Sequence, residues 1–169
     1  TTNLAAPDIS DPSTNFQVAT YTGNGSTQSI TFGGNSNMQP DIVWTKSRSN
    51  GDDAVFQDAA RGTGKALFWS NRDVEDDVTD AVTSFATDGF ALGDGSELST
   101  GDVNTSSRTY VAWQWKVNGG TTTTNDASAT SIGSQDSVYQ ADTTSRFSIV
   151  TYGELGSGGT IAHGLGTTP

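Results

Sequence analysis

The stretch NMQPDIVWTKSRSNGDDAVFQDAARG, residues 37–62, decides the fold. It reads as a strand, a polar loop and a second strand. Ile42 and Trp44 alternate with Val43 and Thr45, the period of two that gives a sheet two distinct faces. Asn50–Gly51 supplies the turn signal. The same stretch holds Asp41, Lys46, Arg48, Asp52, Asp53, Asp58 and Arg61, a high density of charge for a strand pair.

The pattern repeats outward from this stretch. Short runs rich in β-branched or aromatic residues predict strands over 16–22, 28–32, 41–47, 54–59, 65–70, 81–86, 89–93 and 109–117. Turn residues separate them at Gly23–Asn24–Gly25, Gly33–Gly34, Asp88–Gly89, Asp94–Gly95 and Gly119–Gly120. Strands this short and regularly spaced predict an all-β, antiparallel β-sandwich or jelly roll. Four Trp, seven Phe and four Tyr supply bulk for one thin core although only 32% of residues are apolar. In TYVAWQWKV (109–117), Tyr110, Ala112, Gln114 and Lys116 share one face, and Thr109, Val111, Trp113, Trp115 and Val117 the other. The second set is more apolar, so Trp113 and Trp115 are expected to face the core. NRDVEDDVTDAVTSF (71–85) reads two ways: a helix with Val74, Val78 and Val82 on one side, or an acidic loop.

Residues 1–15, with two prolines and little apolar content, predict an extended N-terminal arm. Residues 16–118 form the expected sandwich, and the Thr/Ser/Gly-rich residues 119–146 a linker. From residue 147, FSIVTYGELGSGGTIAHGLG lies on FQVATYTGNGSTQSITFGGN from residue 16 without a gap. Phe16/Phe147, Thr20/Thr151, Tyr21/Tyr152, Gly25/Gly156, Ser26/Ser157, Ile30/Ile161 and Gly33/Gly164 are identical. Residues 147–169 are therefore expected to open a second, similar repeat with its first hairpin, in a natural protein longer than this chain. The start, TTNL, is what removal of an initiator Met would leave.

Taken in order, YTGNGSTQSI, QPDIVWTKSRS, FQDAARG, LFWSN, TSFATDGFALG and TYVAWQWKVNGG, then FSIVTYG and IAHGLG, resemble a tandemly repeated domain of uncharacterised function. That domain is common in structural proteins of tailed bacteriophages, marine ones above all, including tail-fibre-like proteins. The resemblance covers about residues 3–120 and 147–169. It implies a concanavalin-like sandwich and a place in the virion, with no chemistry attached. Such domains often carry a His in the loop after the 41–47 strand; here that loop reads NGDDAVF, so no role for it carries over.

A net charge of −11 and a pI near 4.1 oppose a nucleic-acid surface and favour a solvated acidic one. The acidity also raises adaptation to salt or carboxylates for Ca²⁺. The absence of Cys removes disulfides, thiolate metal sites and cysteine nucleophiles. No run approaches the ~18 apolar residues of a membrane helix. His163 is the only His and lies outside the expected sandwich, so a Ser–His–Asp set within it is excluded. ARGTGKALF (60–68) lacks the first Gly of a phosphate loop and the Ser or Thr after Lys65. Asp52, Asp53, Asp73, Glu75, Asp76, Asp77, Asp94 and Glu97 fall in predicted loops, where nothing raises the pKa of a general acid. Neither DVEDD nor DGFALGDGSE has the spacing of a Ca²⁺ loop. No catalytic residue, cofactor or metal is expected.

Three residues stand out as ligand or interface candidates: Trp69, Arg61 and Arg48. Lys46, Arg48 and Arg61 near several Asp residues predict ion pairs on the sheet rim, or for Arg61 a buried fork on an Asp or a carbonyl. Trp69, beside Ser70, Asn71 and Arg72, is the leading sugar platform, ahead of Tyr21 and Tyr110. The expectation is a structural virion protein of a tailed bacteriophage, the N-terminal anchoring part of a tail fibre or other host-attachment appendage. It would be homotrimeric, lie on the particle surface and dock other virion proteins through its arm, with no nucleic-acid or membrane partner. A head decoration or head fibre, and a lectin-like module for host-surface glycan, are the alternatives.

Overall fold

The structure, a computed structural model, describes residues 9–69 and 73–167. A 3-10 turn, Pro12–Thr14, leads into β1 (Phe16–Thr22), β2 (Gln28–Ile30), β3 (Ile42–Ser47), β4 (Val55–Asp58) and β5 (Lys65–Phe68). There follow β6 (Asp76–Asp77), β7 (Val82–Ala86), β8 (Gly89–Leu92) and β9 (Thr109–Trp115). The remainder forms β10 (Thr123–Asn125), the single helical turn α1 (Ala127–Thr130), β11 (Ser137–Asp142) and β12 (Phe147–Tyr152).

The strands form an antiparallel, all-β sandwich. One sheet runs in the order β1-β9-β3-β4-β5-β6, and a smaller one in the order β2-β8-β7. Between them lies the core: Ala19, Val43, Val55, Ala66, Phe68 and Ala112 from the large sheet meet Ile30, Val82, Phe90 and Leu92 from the small one. Each fully buried Phe or Leu there contributes about 1.5–3 kcal/mol. Gln57 stitches the layers: its carboxamide accepts from the Val82 N–H at 2.8 Å and donates to the Thr63 carbonyl at 2.9 Å. At Gly89, φ is 114° and a Cβ would stand 1.9 Å from the Ile30 carbonyl oxygen, so glycine alone lets β8 approach β2.

The alternation of β9 is as expected, but its faces are reversed. Tyr110, Ala112 and Gln114 are fully buried against the core, whereas Val111, Trp113 and Trp115 lie half-buried on the outer face. The gap between the sheets is already filled by Phe68 and Phe90, and beside them β9 contributes Ala112 and β1 contributes Ala19. Bulky indoles go outside, where they pack on one another. The acidic segment resolves as loop and strand: β6 pairs with β5, and Val82 pairs with Leu92. Valines held at χ1 suit these extended positions better than a helix.

Three expectations about the flanks are corrected. The described part of the arm, residues 9–15, is not free. Asp11 caps the 3-10 turn and accepts from Ser36 Oγ at 2.7 Å, and Asn15 Nδ2 reaches Asp142 at 3.2 Å; residues 1–8 lie outside the described residues. Within 119–146, expected as linker, β10 and β11 form a sheet with β12 in the order β10-β11-β12. Asp126 caps α1 through the Ser128 and Ala129 N–H groups. Thr- and Ser-rich composition hid a strand whose partner, β12, completes it. Finally, the segment laid on residues 147–169 is not a hairpin in the sandwich: β1 pairs with β9 and β2 with β8, so the chain crosses from one sheet to the other between them. Residues 147–152 do form a strand, but β11 is its partner, and Ile161 makes only an isolated parallel bridge to Gln135.

One buried group joins these pieces. Asp41, fully buried, stands just before β3. Its carboxylate accepts from four consecutive N–H groups, those of Val117, Asn118, Gly119 and Gly120, at 2.6, 2.9, 2.9 and 2.5 Å. The turn that lines up these donors needs positive φ at Gly119 (60°) and Gly120 (80°), which explains the Gly-Gly pair. Gln140 of β11, oriented by its partners, donates to Asp41 Oδ1 at 3.0 Å and accepts from the Ala60 N–H at 3.1 Å. One carboxylate thus holds the start of β3, the end of β9 and the second unit.

Asp41→Ala strands these four N–H donors together with the Gln140 amide. It is expected to lower the unfolding free energy by about 3 kcal/mol or more, read as a lower urea midpoint. A midpoint equal to that of the unmutated chain would show that the nest is not what closes the sheet.

Candidate functional site

The outer face of the six-stranded sheet is built from residues that share a face across five strands. In register across it run Val18, Trp113, Trp44, Phe56 and Leu67. Neighbours at such spacing pack side by side. Trp44 lies 5.1 Å from Trp113 and 5.4 Å from Trp69, ring centre to ring centre, and Phe56 lies 6.0 Å from Trp69. The rings are tilted by 42°, 38° and 37°, a continuous array and not a flat stack. Trp69, just past β5, is 67% exposed and Val18 50% exposed.

All three candidates from the sequence border this face. Arg61 sits over the Phe56 ring, its guanidinium carbon 5.9 Å from the ring centre. Its fork is held by Asp58, Nε to Oδ2 at 2.7 Å and Nη2 to Oδ2 at 2.6 Å, and by Glu75 at 2.8 Å from Nη1. Glu75 in turn bridges to Lys65, and that pair of cations, Arg61 first, holds its carboxyl below the ordinary range although partial burial works the other way. Arg48 continues the outer row of Trp44 and Lys46. Its backbone N–H donates to Thr109, and its exposed side chain has no partner among the described residues. Lys46 Nζ is taken by the Asp52 carbonyl at 2.6 Å. Ser70, Asn71 and Arg72 lie outside the described residues.

Tyr21 and Tyr110, the other proposed sugar platforms, are inside. They stack at 5.0 Å and 17°, and Tyr21 donates to the Val103 carbonyl at 2.7 Å. Tyr110 donates its hydroxyl to Asp102, which also takes Arg108 at 2.8 Å and the Thr105 N–H at 3.1 Å. Burial and the Asp102 charge push the Tyr110 hydroxyl's pKa up. Burial alone would raise Asp102 as well, but the Tyr110, Arg108 and Thr105 donors outweigh it and hold the carboxyl below its usual value. This clamp was missed because it joins loop residues to Tyr110 of β9, which was read as a candidate sugar platform; the Asp-Val-Asn-Thr run at 102–105 is a weak turn signal at best.

The arrangement does not suit acid–base chemistry. The buried carboxylates Asp41, Asp58 and Asp102 each accept from several donors, and the donors on Asp102 hold it below the usual value, whereas a general acid needs the opposite. His163 lines an open hollow of about 810 Å³ beside Tyr139 and Ile161, and its Nδ1 accepts from the Leu165 N–H at 3.2 Å. Among the described residues no three His, Asp or Glu side chains converge as metal ligands, and no helix is long and apolar enough to cross a membrane. The acidic loops clip each other instead: Glu97 accepts from the Thr79 N–H, and Asp80 from the Glu97 N–H.

Compared with known families, residues 11–169 match one described as a domain of unknown function, DUF7483. No curated protein and no solved structure matches the chain.

The Asp102 clamp predicts an acid limb. A depressed folded pKa gives stability that is fully present above the unfolded carboxyl value of about 3.9 and is lost as pH falls through the folded one. Thermal midpoints are expected to fall as pH drops below about 4, and Asp102→Asn to flatten that fall while costing about 1–3 kcal/mol at neutral pH. Arg108 is partly exposed, so its share of that cost is small. An unchanged acid limb in the variant would remove Asp102 as its source.

Proposed function

The chain belongs to the DUF7483 family, and we propose that it is a structural protein of a tailed-bacteriophage virion, part of a tail fibre or another host-attachment appendage. The reading is supported by the ordered motifs that resemble domains of such virion proteins, and by what those motifs do here. QPDIVW supplies Asp41 and KVNGG the N–H groups that enclose it. FQDAARG supplies the Asp58–Arg61 fork. The resemblance thus rests on residues that hold backbone in place, as suits a load-bearing part with no reaction to catalyse.

The observation that carries the proposal is the Asp41 nest with Gln140. It fixes a second β unit to the sandwich through a buried contact where a loose tether would otherwise stand. Appendages that transmit force between particle and host need such joints. The outer aromatic face provides the contact surface.

Mass spectrometry of gradient-purified particles is expected to find the chain at structural copy number, and cryo-electron microscopy to place its sandwich in an appendage. Light scattering on the purified protein reads the copy number, three on this proposal. Absence from purified particles would refute the virion assignment; density on the capsid would move it to a head fibre or decoration.

A further inference from the structure

We propose that the outer aromatic face centred on Trp69 binds a neutral saccharide chain. This names the ligand of the attachment role proposed above and rests on it for its setting. Four rings, Trp113, Trp44, Trp69 and Phe56, pack tilted against one another on one face of the sheet, and Trp69, against both Trp44 and Phe56, is 67% exposed. The C–H faces of a pyranose are apolar and its rim is hydroxylated, which calls for an aromatic floor with hydrogen-bonding groups at its edge. The face has that composition: Arg61 and Glu75 border the rings on one side, and Arg48 ends the row on the other.

Size and charge select this occupant. Trp44, Trp113 and Phe56 are already half-covered by their neighbours, so the free apolar surface is mainly Trp69, Val18, Phe16 and Leu67. Scaled from the ~150–250 Å² of an aromatic side chain, that is on the order of 400 Å², enough for one or two sugar rings. A stable protein interface buries about 800 Å² on each partner, so a second copy is under-supplied. Of the cations near the rings, Arg61 is neutralised by Asp58 and Glu75 and Lys46 is engaged by a carbonyl; Arg48 alone among the described ones is exposed without a partner, against −11 on the chain as a whole. A sulfated or uronic polymer would meet net repulsion; a neutral hexose polymer meets none.

The test is affinity electrophoresis and calorimetry of the full chain against a panel of soluble neutral glucans, mannans and galactans, with a sulfated polysaccharide alongside. At least one neutral polymer is expected to retard the chain, and raising salt to about 0.5 M should leave that binding intact, since no ion pair forms. Trp69→Ala is expected to weaken it by about tenfold or more and to leave the unfolding midpoint near that of the unmutated chain, as befits an exposed side chain. Arg48→Ala, at the edge, is expected to weaken it less. Four results would overturn the inference: no retardation by any neutral polymer, unchanged binding in Trp69→Ala, binding confined to the sulfated polymer and lost in salt, or self-association that Trp69→Ala abolishes. Each leaves the virion assignment standing, since that depends on where the chain lies in the particle.

Discussion

A carboxylate taken out of water must be surrounded by donors, and Asp41 meets that demand by making the chain come to it. Five N–H groups converge on it, four from the turn after β9 and one from Gln140. Charge-assisted bonds of this kind are worth about 1.5–3 kcal/mol each, and leaving the charge bare would cost more than any one of them returns. The site therefore behaves as a latch. It fixes the register of β3 beside β9, stops β9 by requiring two left-handed glycines, and holds β11 against the sandwich.

With the latch closed, the central sheet has one thin side and one thick side. Its inner face meets the second sheet across alanines, valines and two phenylalanines. Its outer face receives the indoles, which cover one another and leave Trp69 in water. Charge is organised by the same logic. Asp58, Asp102 and Asp41 are satisfied inside by arginine, tyrosine and backbone donors, so these buried charges hold the shape of the interior.

Much of the sandwich was legible. β-branched and aromatic runs bounded by glycine turns located the strands of both sheets except β6, because a period of two and turn chemistry are local properties. The position of Arg61 as a fork on an aspartate was legible for the same reason: Asp58 lies three residues away. What failed was non-local. Alternation in TYVAWQWKV shows that two faces exist but not which is inside, and hydrophobicity pointed to the wrong one, since the space between the sheets favoured small residues. SVYQAD (137–142) was absorbed into a low-complexity linker because its partner strand lies beyond it. The Asp41 nest left only faint traces, an Asp after Pro and a Gly-Gly pair 78 to 79 residues away.

The sequence by itself determined that this chain is built of short antiparallel strands, that its surface is acidic, and that its basic residues are few enough to be matched by nearby carboxylates. Those properties follow from residue type and near-neighbour spacing. Only the tertiary structure decided which side of the central sheet is covered, that the Thr/Ser-rich segment joins a sheet, and that a single aspartate ties both units together. Each depends on a contact between distant segments, and the free energy of such a contact is set by the space and donors the rest of the fold supplies.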